Sequence, residues 1–398
     1  MQPILDLTKE YGLVLEGGGA KGAYQIGAWK ALKEAGVRIK GVAGTSVGAL
    51  NGALICMDDV EKAERLWNTI SYSKVMDVDD DQMAKLFEKD WDPELLKDTL
   101  KDTWRMLTDG GTDITPLRNL IDENIEEEKI LKSTMDFFAC TYSLTDRQEL
   151  EVDMKALAPG QMRDMLIASS YLPVFKNEKL QGKTFTDGGL TNVLPVNTLV
   201  NRGYEDVILL RIFGMGRVKR FEIPDHVHVY EISPKVSLGN MLQFDAAKSR
   251  RNMRIGYFDA LRLIYGLKGR IYYIEESEEE CYYLRRMLNL DSDIIRQALE
   301  DYRLLEEPEQ LIRTFLEKLL PRIADQLKLS ETWNYKDLYL SMLEAVARWY
   351  RVPKYAVYTP DTLLAQIQKR QKQNDAGDDK TEQPEMPGFM RLIFGESD

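Results

Sequence analysis

Ser46 stands in Gly44-Thr45-Ser46-Val47-Gly48, the G-x-S-x-G spacing that lifts a serine onto a sharp strand-to-helix turn. The small flanking residues let backbone pass close to it. Such a hydroxyl attacks an ester carbonyl if a base takes its proton and donors receive the oxyanion. Candidate donors stand upstream in Gly17-Gly18-Gly19-Ala20-Lys21-Gly22, because bare backbone can turn several N–H groups toward one small anion. One such donor is worth about 2.7–4 kcal/mol to a transition state. The candidate base is Asp187, at the end of a strand-like run and followed by Gly188 and Gly189, which let the turn approach a neighbouring loop. An Asp with an ordinary pKa of about 3.9 is a poor base at neutral pH, so this reading requires a dry cleft. The same cleft would suit an acyl chain.

Two other chemistries compete for these residues. Gly17 to Gly22 also satisfies G-x-G-x-x-G after a strand and before a helix, the context of a dinucleotide-binding loop. That fold wants a carboxylate at the end of the second strand, and this chain has Val42-Ala43-Gly44-Thr45-Ser46 there. A phosphate-binding P-loop fails as well, since Ala23 and Tyr24 follow Gly22 where Lys and Ser or Thr are needed. The second rival is a Ser-His-Asp esterase using His226 or His228, the chain's two histidines, which alternate at the start of a strand candidate.

The elements that must carry these residues can be read from periodicity. Leu13-Val14-Leu15 predicts a buried strand, and Tyr24, Ala28, Ala31, Leu32 and Ala35 a following helix capped at Gly36. Val37 to Ala43 predicts a second strand, and Val47, Leu50, Ala53, Leu54 and Met57 a second helix. Two such units argue for a parallel sheet with helices on its faces, whose loops emerge side by side at the carboxyl ends of the strands. Residues 58–134 predict a helical insertion. Its Trp and Met residues, among them Trp67, Met83, Trp91 and Trp104, fit either a lid over the cleft or an ordinary helical subdomain. Strands are expected again at Asp136 to Ser143, Lys183 to Thr186, Asp206 to Phe213, His228 to Ile232 and Arg270 to Ile274, extending the sheet to about residue 275. Beyond it, Ser292 to Leu305 and Pro308 to Leu329 predict helices, and the aromatic residues from Trp333 to Tyr358 a core.

The 398 residues, 44% hydrophobic and 30% charged, have the composition of a folded globular protein. A net charge of −12 argues against nucleic acid as a partner, with Lys248 to Arg254 read as a solvated helix face. Cys56, Cys140 and Cys281 lack metal or disulfide spacing and fit a reducing compartment. No signal-like leader or membrane-spanning run is visible, so the expectation is a cytoplasmic protein whose membrane or micelle contact is peripheral.

The ordered set of glycine loop, G-x-S-x-G and Asp187-Gly188-Gly189 resembles the patatin-like phospholipases. Further similarity lies in Asp113 to Arg118, Ala168 to Phe175 and Asn192-Val193-Leu194-Pro195, so that the resemblance covers residues 12–213. It implies a three-layer α/β/α hydrolase with a mainly parallel central sheet, a Ser46–Asp187 dyad without histidine, and an oxyanion hole made by the loop glycines. It also implies fatty-acyl esters of phospholipids, lysophospholipids or neutral lipids as substrates, with no metal and no cofactor. Glu16 departs from the Asp common at that position, and Lys21 would brace the loop or meet a headgroup. The expected organisation is a catalytic domain over 1–275, a helical C-terminal region over 276–370, and a disordered acidic tail over 371–398 with the short apolar end Gly388 to Phe394.

Overall fold

The computed structural model describes residues 1–88, 111–176, 178–304, 310–375 and 388–394. Trp91 and Trp104 of the insertion lie outside the described residues. The chain divides into two compact units, Gln2–Ile264 and Tyr265–Asp398, with Met1 grouped with the second.

The first unit is built on a mainly parallel sheet. Strand β1 (Glu10–Leu15) pairs in parallel with β2 (Arg38–Thr45) on one side and β6 (Asp206–Leu210) on the other. The order is β4-β3-β2-β1-β6-β7, where β3 is Asp136–Ser143, β4 is Gln148–Asp153 and β7 is His228–Ile232. Short β5 (Phe185–Asp187) joins antiparallel to β3, as does β4. The central strands are apolar almost throughout, as expected when both faces are covered. On one face Val14, Ala43, Val207 and Leu209 pack with Leu199 and Tyr204. On the other, helix α2 (Val47–Cys56) lies so close that a Cβ at Gly52 would meet Phe137 at 2.7 Å and Val42 at 3.2 Å. Helix α1 (Ala23–Glu34) connects β1 to β2, and helix Ala246–Tyr265 crosses it with backbone nearly touching, where a Cβ at Gly27 would lie 1.8 Å from Met253 O.

The sheet ends at β7 and does not reach residue 275. The strand expected at Arg270 to Ile274 shrinks to β8 (Tyr273–Ile274), which pairs with β9 (Val357–Tyr358) in a separate two-stranded sheet of the second unit. Edge strand β4 was not expected, because Glu149 and Glu151 break up an alternation that only Leu150 and Val152 carry. The rest of the second unit is helical around its own core, in which Tyr283, Phe315, Tyr339, Leu343 and Ile367 are buried. Glu344 is buried there and its carboxylate accepts from the amides of Arg270, Ile271 and Tyr272 at 2.7–3.0 Å, which satisfies the charge. The first residues of the tail expected from 371 onward are helical, since helix Pro360–Asp375 runs through them, and residues 376–387 lie outside the described residues. The apolar end is helical over Met390–Phe394, with Leu392 and Ile393 buried in the same core.

Candidate active site

Ser46 follows the carboxyl end of β2 and caps α2 with φ 57° and ψ −128°, a left-handed conformation that a non-glycine residue holds only when its surroundings over-determine it. The flanking glycines show why. A Cβ at Gly44 would meet the Gly48 carbonyl at 2.3 Å, and one at Gly48 would meet Leu15 O at 2.3 Å. The turn is tied down from behind: Ser46 N–H donates to Ser169 Oγ at 3.0 Å, and that hydroxyl donates to Cys140 O at 2.6 Å. The Thr45 hydroxyl donates to Asn192 O at 2.9 Å, linking the elbow to the loop after Asp187.

The glycine run leaves β1 directly beside this turn, with the Cβ position of Gly17 3.3 Å from Ser46 Cβ. Three of its amides are already committed. Gly17 N–H donates to Val193 O (2.9 Å), Ala20 N–H to Met241 O (2.7 Å) and Lys21 N–H to Gly18 O (3.3 Å). The amides of Gly18 and Gly19 have no backbone acceptor among the described residues. Lys21 Nζ donates to Phe213 O at 2.7 Å, so its side chain braces the loop. Buried Glu16 accepts from the Ile212 and Phe213 amides at 2.6 and 2.9 Å, a role that needs a carboxylate of this reach and leaves the glycines alone. Gly22, at the end of the run, passes its carbonyl to Asn51 Nδ2 at 2.9 Å; Asn51 also bonds Gln25 at 2.9 Å and Trp67 Nε1 at 3.0 Å.

Asp187 ends β5 and is buried. Burial pushes its pKa up to about 6, opposed by the neighbouring Ser46 hydroxyl and by the Gly189 N–H, which donates to Oδ1 at 2.7 Å. Oδ2 is buried with no hydrogen-bond partner of ordinary geometry among the described residues. Gly188 lets the turn press on β3, since a Cβ there would lie 2.3 Å from Cys140 O.

Ser46 and Gly19 open onto a narrow pocket whose walls are apolar. It follows one face of α2 through Val47, Leu50 and Leu54, and the insertion supplies Trp67, Leu117 and Ile121. These insertion residues are buried parts of the wall. Neither Ser169 nor Asn51 carried any signal in the sequence beyond lying in a motif or on a helix face.

Histidine is not part of this arrangement. His228 begins β7 opposite Asp206, the first residue of β6, and both His226 and His228 are exposed. They sit at the amino-terminal edge of the sheet, one strand length of about 13 Å from the edge that carries Ser46. The dinucleotide reading fares no better, because β2 ends in Thr45, whose hydroxyl is bonded to Asn192 O, and Ser46 follows it. Among the described residues no group of three or more His, Cys, Asp or Glu side chains is arranged to hold a metal ion.

The family model described as "Patatin-like phospholipase" matches residues 13–200. The chain carries a patatin-like phospholipase domain. The match runs from Leu13 in β1 to Val200 and includes the glycine run, Ser46 and Asp187, while β6 and β7 of the same sheet lie beyond it. The domain is similar to neuropathy target esterase sws of Drosophila melanogaster, 28% identical over 207 residues, 50% of this chain and 13% of that protein. It is also similar to lysophospholipase nte1 of Aspergillus terreus, 56% identical over 50 residues, 13% of this chain and 3% of that protein. The solved structure of VipD from Legionella pneumophila aligns over 97% of this chain and 90% of its own, at 13% identity and a TM-score of 0.39. The chain thus covers about an eighth or less of the length of the two sequence relatives.

Proposed function

We propose that the protein is a serine carboxylic ester hydrolase that cleaves fatty-acyl esters of lipids through Ser46 and Asp187. The observation that carries the reading is a buried carboxylate of raised pKa beside a serine in a strained turn, at the foot of an apolar pocket. Asp187 takes the Ser46 proton as Oγ attacks the acyl carbonyl, and the N–H groups of Gly18 and Gly19 receive the oxyanion. Collapse of the tetrahedral species breaks the bond to the alcohol, which takes the proton from Asp187 and leaves the acyl group on Ser46. Asp187 then deprotonates a water that attacks this ester, and the fatty acid is released. A pKa of about 6 suits both halves, since the group is ionised at neutral pH yet basic enough to accept a proton. The relatives, an esterase and a lysophospholipase by name, agree with lipid esters as the substrate class.

Labelling with a fluorophosphonate probe, followed by peptide mass spectrometry, tests the nucleophile. Modification is expected on Ser46 and is abolished in Ser46→Ala. A probe that labels the variant equally, or a lipid panel left unhydrolysed by the wild type, sinks the proposal.

A further inference from the structure

The segment after β6 runs from Phe213 to Arg220 without regular structure, across the rim of the candidate site. Its backbone is pinned: Phe213 N–H bonds Glu16, Phe213 O accepts from Lys21, Arg217 N–H donates to Gly189 O at 2.9 Å, and Val193 N–H donates to Arg217 O at 2.8 Å. It therefore bridges the glycine run and the turn that follows Asp187. Its apolar side chains lie largely in solvent. Phe213 is 50% exposed, Met215 70% and Val218 50%, and Leu190, next to the Gly189 that the segment bonds, is 60% exposed. Single exposed apolar residues are ordinary, but three on a pinned loop beside the candidate site, with a fourth on the turn it bonds, form a patch with no core to fill. Arg217, Lys219 and Arg220 are interleaved with them and exposed, against a single carboxylate, Glu222, in the next two positions. Lys219 reaches Glu149 only at 3.4 Å, with half its side chain in solvent. This sign is opposite to the net charge of −12 carried by the chain.

We infer that the rim formed by Leu190 and residues 213–220 is a docking surface for an anionic phospholipid bilayer. The inference takes its choice of partner from the lipid-hydrolase reading, but it rests on the patch itself. Apolar side chains interleaved with Arg and Lys match the boundary between acyl chains and anionic headgroups, where the first are buried and the second neutralised. An acidic protein is repelled by such a surface unless a local patch of this kind reverses the sign. Docked there, the protein would present the mouth beside Ser46 to lipid leaving the bilayer, with no step through water.

Cosedimentation of the full chain with phosphatidylcholine vesicles, with and without phosphatidylglycerol, tests this without requiring any turnover, so an inactive protein would overturn the hydrolase reading and leave the binding result readable. Binding to the mixed vesicles is expected, weakened at high salt, and at least tenfold weaker in Met215→Glu/Val218→Glu. Arg217→Glu/Arg220→Glu should bind mixed vesicles no better than pure phosphatidylcholine. Thermal unfolding of each variant at the wild-type temperature shows that the fold is kept; if the Glu variants unfold, Met215→Ser/Val218→Ser serves for the same comparison with a smaller loss. Absence of wild-type binding to both vesicles, or undiminished binding by the apolar variants, overturns the proposal and leaves the patch to a protein partner.

Discussion

As the proposed base, Asp187 sets how the site should respond to pH. Its pKa is raised to about 6 by burial, and only the ionised carboxylate can accept the Ser46 proton, so kcat/KM on a soluble ester is expected to fall about tenfold per pH unit below about 6. A profile flat down to pH 4 would remove Asp187 from the role of base. The same shift costs stability in the opposite sense. An acid whose folded pKa lies above its unfolded value destabilises the fold as pH rises from about 4 through about 6, and the loss persists at higher pH. Asp187→Asn should therefore match the wild type near pH 4 and exceed it by about 1–3 kcal/mol at pH 8 in urea unfolding, while losing about three orders of magnitude or more in turnover. Ser46→Ala should lose activity to a similar degree, and near-normal turnover in either variant would refute the dyad. Ser46 and Asp187 were legible in sequence because a sharp turn at either place demands glycine neighbours that can be counted. Ser169, whose hydroxyl holds the Ser46 amide, was not, since a serine at a helix end looks the same whether or not a strand from elsewhere passes behind it.

At the scale of elements, α2 links Ser46 to the apolar pocket. From Ser46 to Leu54 its axis rises about 12 Å, and the pocket follows that face. The far end lies by Ile125, since the next residue, Glu126, gives its N–H to Met57 Sδ at 3.4 Å just past the C-terminus of α2. Leu66, Leu120 and Asn124 line both this pocket and a polar groove beyond it, and so form the wall between them. Leu120→Trp should shift the preferred acyl length of p-nitrophenyl esters toward shorter chains, and Leu120→Ala should relax the limit. An unchanged chain-length profile in both would put the acyl chain elsewhere. The parallel core of the sheet could be read in advance because strands covered on both faces are continuous apolar runs. Edge strand β4 escaped because half of its residues are carboxylates, two of them half-buried and bonded to partners from elsewhere in the chain, and two-residue β8 and β9 are too short to show a period. The polar-looking helices of the insertion hid their contribution to the pocket, since only Leu117, Ile121 and their neighbours at helical spacing turn inward.

For the whole molecule, the division at Ile264 separates two cores of different construction. The first unit closes a sheet between helices and contains the glycine run, Ser46, Asp187 and every residue lining the apolar pocket. The second holds its own buried cluster, from Tyr272 to Ile393, in which Glu344 caps three consecutive amides and the C-terminal helix Met390–Phe394 supplies Leu392 and Ile393. Each cluster is large enough to exclude water without borrowing side chains, the condition for separate cooperative folding. A chain ending at Ile264 should therefore unfold in one cooperative transition and keep its turnover of a soluble short-chain ester within about threefold of the full protein. Calorimetry and a steady-state assay on that truncation check both halves. A truncation that folds but is inactive would assign the second unit a part in assembling the site, whereas one that does not fold would show that the stability of the sheet depends on residues after 264.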